Sequence, residues 1–106
     1  MSIIPSATLA LLLALAAPAA LAELAATEGD PERGAELAPR CTSCHGPDGR
    51  SNITRYPSIA GLDPEVFTAR MQALKDGERG HLLKRMTRSL GEQEIADLAA
   101  HFATLE

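Results

Sequence analysis

The chain has 106 residues, two cysteines, three histidines, only 3% aromatic residues with no tryptophan, and a formal net charge of −4. That length holds one small domain, and an acidic chain without interleaved aromatics is excluded as a nucleic-acid binder. So few aromatics leave a thin core, and domains this small often need a staple or cofactor to reach useful stability.

The first element is an address rather than a structural unit. Residues 3–22, IIPSATLALLLALAAPAALA, carry no charge and end in Ala20-Leu21-Ala22, after which Glu23 opens a charged composition. The small-x-small ending precedes signal-peptide cleavage, so residues 1–22 are expected to be a cleaved signal peptide and residues 23–106 the working domain. The stretch also approaches the length that spans a bilayer, which makes an uncleaved anchor the alternative and the one route to membrane association. Pro18 and the Ala-rich end favour cleavage. Residues 1–6 carry no Lys or Arg, as expected if translation starts upstream of Met1.

Past the leader, the pattern is helical. Asp30-Pro31 opens a first helix, with Asp as N-cap and Pro at N1, running through Gly34, Ala35, Leu37 and Ala38 towards the cysteines. From Gly46 to Gly61 periodicity is absent and Pro47, Gly49, Asn52 and Pro57 mark a loop. Asp63-Pro64 repeats the cap-plus-proline opening, followed by Val66, Phe67, Met71 and Leu74 at helical spacing until Gly77. A last helix from about Glu92 to Thr104 carries Ile95, Leu98, Ala99, Phe102 and Leu105 as one apolar stripe. Nothing reads as a strand, a repeat or a second domain. The fold class is all-α.

Residues 41–45 read Cys41-Thr42-Ser43-Cys44-His45. C-x-x-C-H is the attachment signature of a c-type haem: two thiols form thioethers, and the adjacent imidazole ligates the iron. Cysteines three apart share one helical face, so both sulfurs reach one porphyrin edge. Three other readings remain open. A structural zinc wants four ligands, with only His81 and His101 left to add. A dithiol redox motif expects a βαβ setting. A plain disulfide has no need of the histidine.

The residues after the leader resemble a class I c-type cytochrome over nearly their whole length. The resemblance is carried by the haem motif after a first helix, by Tyr56-Pro57-Ser58-Ile59-Ala60-Gly61, and by the closing run from Met86 through Leu90, Gly91 and Ile95 to Ala99. It extends to small bacterial cytochromes, to the halves of dihaem ones, and to the haem subunit of flavocytochrome c sulfide dehydrogenase. Residues 71–79 add to the last comparison. It implies a small cytochrome c-type fold of three to four short helices around one haem c, held through Cys41 and Cys44. His45 and Met86 would be the iron ligands, with Met86 on the loop before the last helix, and the Pro57 carbonyl would orient His45. Met71 falls on a core stripe, where Met fills gaps; His81 and Lys84 are the competing ligands, and His101 is expected on the surface. Arg55 and Tyr56 are candidates to meet the haem propionates, against the plainer reading of a solvated loop. Gly34 and Phe102 match the family's crossing of first and last helices, and Gly91 stands where the family usually has Ser or Thr as N-cap.

The resemblance implies a periplasmic one-electron carrier rather than an enzyme. The alternatives are a haem subunit of a larger oxidoreductase, or an open-site haem sensor or peroxidase-type enzyme. Partners would be redox proteins, among them a flavoprotein or a membrane electron-transport complex. Residues 70–88 hold six bases against Asp76 and Glu78, a local net of +4, while residues 23–36 and 89–106 each sum to −4. The basic stretch includes Met86, and a patch of that sign steers an acidic partner or is simply a solvated face.

Overall fold

The computed structural model describes residues 2–3 and 27–106. Apart from Ser2 and Ile3, the expected signal peptide and its cleavage point lie outside the described residues. Those described form five helices, α1 Pro31–Leu37, α2 Pro39–His45, α3 Pro64–Lys75, α4 His81–Thr87 and α5 Glu92–Ala103, with no strand among them.

The extra elements have local causes. Pro39 has no N–H to continue the α1 ladder, yet Ala38 stays right-handed helical (φ −55°, ψ −31°). The chain therefore steps into a second short helix instead of a loop, and that helix carries the cysteines and His45. The stretch expected as loop before the last helix contains α4, entered through Gly77 and Gly80, whose φ angles of 84° and 98° turn the chain sharply. Met86 accordingly sits on a helix.

Proline at the first position and an aspartate cap start both α1 and α3 as anticipated. Asp30 Oδ1 accepts from Glu32 N at 2.9 Å, and Asp63 Oδ1 from Glu65 N at 2.9 Å. At α5 the cap is half a capping box: Glu94 Oε1 accepts from Gly91 N at 3.2 Å, while Gly91 has no side chain to return the bond.

The core is the inner face of α5 (Ile95, Leu98, Ala99, Phe102) with Phe67 and Met71 of α3, Ala38, Ile59 and Leu90. Phe102 is fully buried and stacks on Phe67 with ring centroids 5.6 Å apart. α1 lies across α5 so closely that a Cβ on Gly34 would stand 2.0 Å from the Asp97 carbonyl oxygen. Only glycine permits that approach. Gly34 thus meets Asp97 and His101 of α5 where the first and last helices cross, and Phe102 meets Gly49. His101 is half-buried, its ring edge-on to Phe102 at 5.0 Å, and not on the open surface. Asp97, 2% exposed, accepts from Asp30 N at 2.8 Å and Gln93 Nε2 at 2.9 Å. Gln93 Nε2 also donates to the Glu28 carbonyl at 2.8 Å. The start of α1 is stapled to α5 in this way.

Candidate functional site

Helix α2 places Cys41 and Cys44 one turn apart, both half-buried and neither bonded to the other. Burial pushes the Cys41 thiol pKa up; the Arg40 guanidinium opposes this and the neighbouring Cys44 reinforces it. A thiol held protonated is a poor nucleophile, the opposite of what a dithiol redox centre requires. Among the described residues, no three His, Cys, Asp or Glu side chains converge to hold an ion, so the zinc reading loses its ligand set.

His45 ends α2, and Gly46 at φ 92° turns the chain away from it. The loop then folds back on itself. Gly49, at φ 74°, is buried; its N–H donates to the Gly46 carbonyl at 3.0 Å, and its own carbonyl accepts from Ile59 N at 2.7 Å and Ala60 N at 3.0 Å. Ser51 N donates to Ser58 Oγ at 2.9 Å, and Gly61 N donates to the Phe102 carbonyl at 2.8 Å. These bonds close residues 46–61 into a compact loop whose far limb passes His45.

The result is a 2.6 Å hydrogen bond between His45 Nδ1 and the Pro57 carbonyl. A carbonyl oxygen only accepts, so Nδ1 carries a proton, and in the neutral ring Nε2 keeps its lone pair. That tautomer presents Nε2 as a metal ligand with its ring orientation fixed from behind. The half-buried Tyr56 ring packs edge-on against His45, centroids 6.3 Å apart, and the exposed Arg55 lies 5.9 Å from the Tyr56 ring centre. Tyr56 thus flanks the imidazole, a placement its sequence position did not reveal.

Met86 is 48% exposed on α4, and Leu82 one turn before it is 62% exposed. Ile53, on the loop after His45, is 52% exposed. Met71 is buried in the core, as its stripe position indicated. His81 is exposed at the start of α4 and lines an open groove of about 560 Å³ with Leu82, Lys84, Arg85 and Arg88. Two residues that shape the site escaped the sequence reading as such. Gly49 organises the loop, and Pro47-Asp48-Gly49 is a turn signature that points to it. Lys75 reaches the Leu90 carbonyl at 2.7 Å, for which no local pattern exists.

Two free thiols on one helix turn, an imidazole with Nε2 available, and apolar side chains left exposed suit a covalently held apolar plate with a metal at its centre. The donor set fits haem c.

Comparison with known proteins agrees. Residues 31–106 match the Cytochrome c family model. The chain is 36% identical over 95 residues to cytochrome c4 of Pseudomonas aeruginosa, covering 89% of this chain and 47% of that protein. It is 30% identical over 82 residues to cytochrome c-554(548) of Halomonas halodenitrificans, covering 74% of this chain and 99% of that one. Among solved structures, thiosulfate dehydrogenase (TsdBA) from Marichromatium purpuratum superimposes with a TM-score of 0.64 at 25% identity, over 72% of this chain and 19% of that one. The chain thus spans about half the length of the cytochromes c4 it matches, but nearly all of the shorter relative.

Proposed function

The chain belongs to the cytochrome c family, and from that premise we propose an exported carrier with His45 and Met86 as axial ligands of one haem c. Covalent haem c and electron transport come with the family; Cys41 and Cys44 are the attachment points. Bound there, the group supplies a one-electron ferric–ferrous couple. The chain's own residues do the rest. α2 would present both thiols, one turn apart, for attachment. Pro57 fixes the His45 tautomer and ring orientation, Tyr56 packs against the ring, and Met86 would supply the second iron ligand, a pairing that would raise the haem potential and suit electron transfer.

The observation that carries this reading is the 2.6 Å bond from His45 to Pro57, which leaves Nε2 the free donor. The signal-like residues 1–22 support export, and no described helix is long and apolar enough to cross a membrane. Its partners are redox proteins, and we assign no catalysis to the chain alone. Exposed Arg79, Lys84, Arg85 and Arg88 on and beside α4, with no acidic residue between Arg79 and Gly91, favour an acidic docking partner.

A second reading is an electron-relay domain of a larger oxidoreductase, favoured by the likeness to a thiosulfate dehydrogenase. Covalent haem that is low-spin in the wild type and high-spin, carbon-monoxide-binding in Met86→Ala is the expected result. Wild-type protein that binds carbon monoxide as readily as the variant refutes the Met86 assignment.

A further inference from the structure

Met86 depends on a helix with few holds of its own. Among the described elements α4 packs against α3 alone, and His81, Leu82, Lys84, Arg85 and Met86 are all exposed. The inward stripe is half-buried Leu83, buried Thr87 and, just past the helix, buried Leu90, an i, i+4, i+7 series. Met86 lies one residue before Thr87, about 100° around the helix from it. How that stripe seats therefore sets where the thioether points.

Two bonds shape the segment from within: Thr87 Oγ1 donates to the Leu83 carbonyl at 2.8 Å, and Leu90 N to the Thr87 carbonyl at 3.0 Å. Neither ties it to the rest of the protein. Lys75 does. It is half-buried at the end of α3, and its Nζ donates to the Leu90 carbonyl at 2.7 Å, the short distance of a charge-assisted bond. The other tie is weaker, an exposed 3.4 Å contact from Arg40 to Ser89 Oγ.

We propose that Lys75 is a positioning residue for Met86: its ammonium, anchored on Leu90, fixes the exit of α4 and with it the approach of the thioether to the iron. This rests on the reading of Met86 as axial ligand. The test uses the ferric holoprotein as wild type, Lys75→Met (which keeps the apolar stem), Lys75→Arg and Met86→Ala. It records the thioether-to-iron absorption band, the reduction potential and the affinity for added imidazole, which competes with the thioether. Lys75→Met is expected to bind imidazole about tenfold more tightly, with a weakened band and a lower potential, and Lys75→Arg to restore all three. If Lys75→Met only unfolds at lower temperature while band, potential and imidazole affinity stay at wild-type values, Lys75 merely supports the fold and the proposal fails. Failure of Lys75→Arg to restore them also overturns it. A wild type that lacks the band, like Met86→Ala, instead refutes the Met86 reading and removes this proposal with it.

Discussion

Gly34→Ala tests the packing on which the whole frame rests. The added Cβ would stand 2.0 Å from the Asp97 carbonyl oxygen, 2.6 Å from its carbon and 2.6 Å from His101 Cβ. Ordinary contact begins near 3.4 Å, so α1 and α5 must part by about 1.4 Å. The obstructing atoms are mostly backbone, which has no rotamer by which to yield. Retreat is also resisted one turn earlier, where Asp30 N holds Asp97 Oδ1 at 2.8 Å. Overpacking of this kind costs about 1–3 kcal/mol, and a clash on backbone belongs at the upper end. At about 4–8 °C per kcal/mol for a domain of this size, a loss near 3 kcal/mol lowers the unfolding midpoint by about 12–24 °C. The assay is thermal unfolding of the ferric holoprotein, followed by far-ultraviolet circular dichroism. Gly91→Ala is the control, since its Cβ would find its nearest atom at 3.9 Å. A drop below about 4 °C for Gly34→Ala, or equal drops for both variants, refutes the argument.

Two further outcomes follow from the hydrogen bonds. The Asp30 N–H, then the Gln93 amide, hold the Asp97 carboxyl below its ordinary value of 3.8, with burial opposing and the Arg33 charge assisting. Its folded-state pKa being depressed, the stability it contributes is fully present above the unfolded value and is lost as pH falls through the lowered one. Urea midpoints of Asp97→Asn should therefore fall less steeply than those of wild type as pH drops below 3.8; parallel curves would sink this. Pro57 acts on His45 through a backbone carbonyl that any residue supplies. Pro57→Ala should keep a low-spin spectrum and lose only about 0.4–1 kcal/mol of stability, through added unfolded-state freedom, and a high-spin product would contradict it.

The parts legible in the sequence were those written in local pattern. Asp30-Pro31 and Asp63-Pro64 gave the helix starts, the Ile95–Leu105 stripe gave α5, and Cys41, Cys44 and His45 gave the centre of the site. Pro57 came from the resemblance, and its carbonyl does meet His45. What escaped depends on contacts distant in sequence or on short elements. α4 is seven residues long, too short for periodicity to separate it from a loop. Asp97, Gln93 and Glu28 look like solvated charge and polarity until residues 65 to 67 apart meet. His101 read as surface because the stripe rule says nothing of what α1 lays over its neighbour.

The uneven anchoring of α4 has a consequence for how the molecule breathes. The His45 side is braced by the closed 46–61 loop, which Gly61 N ties to the Phe102 carbonyl of α5 at 2.8 Å. Opening the Met86 side requires lifting only a seven-residue helix off α3. Local unfolding proceeds from the least tethered unit, so amide exchange should reach α4 well before Ile59, Ala60 and Gly61, whose N–H groups close the loop beside His45. If His45 and Met86 are the two ligands, the faces of the site differ in lifetime as well: a durable wall on the imidazole side, and on the sulfur side a door.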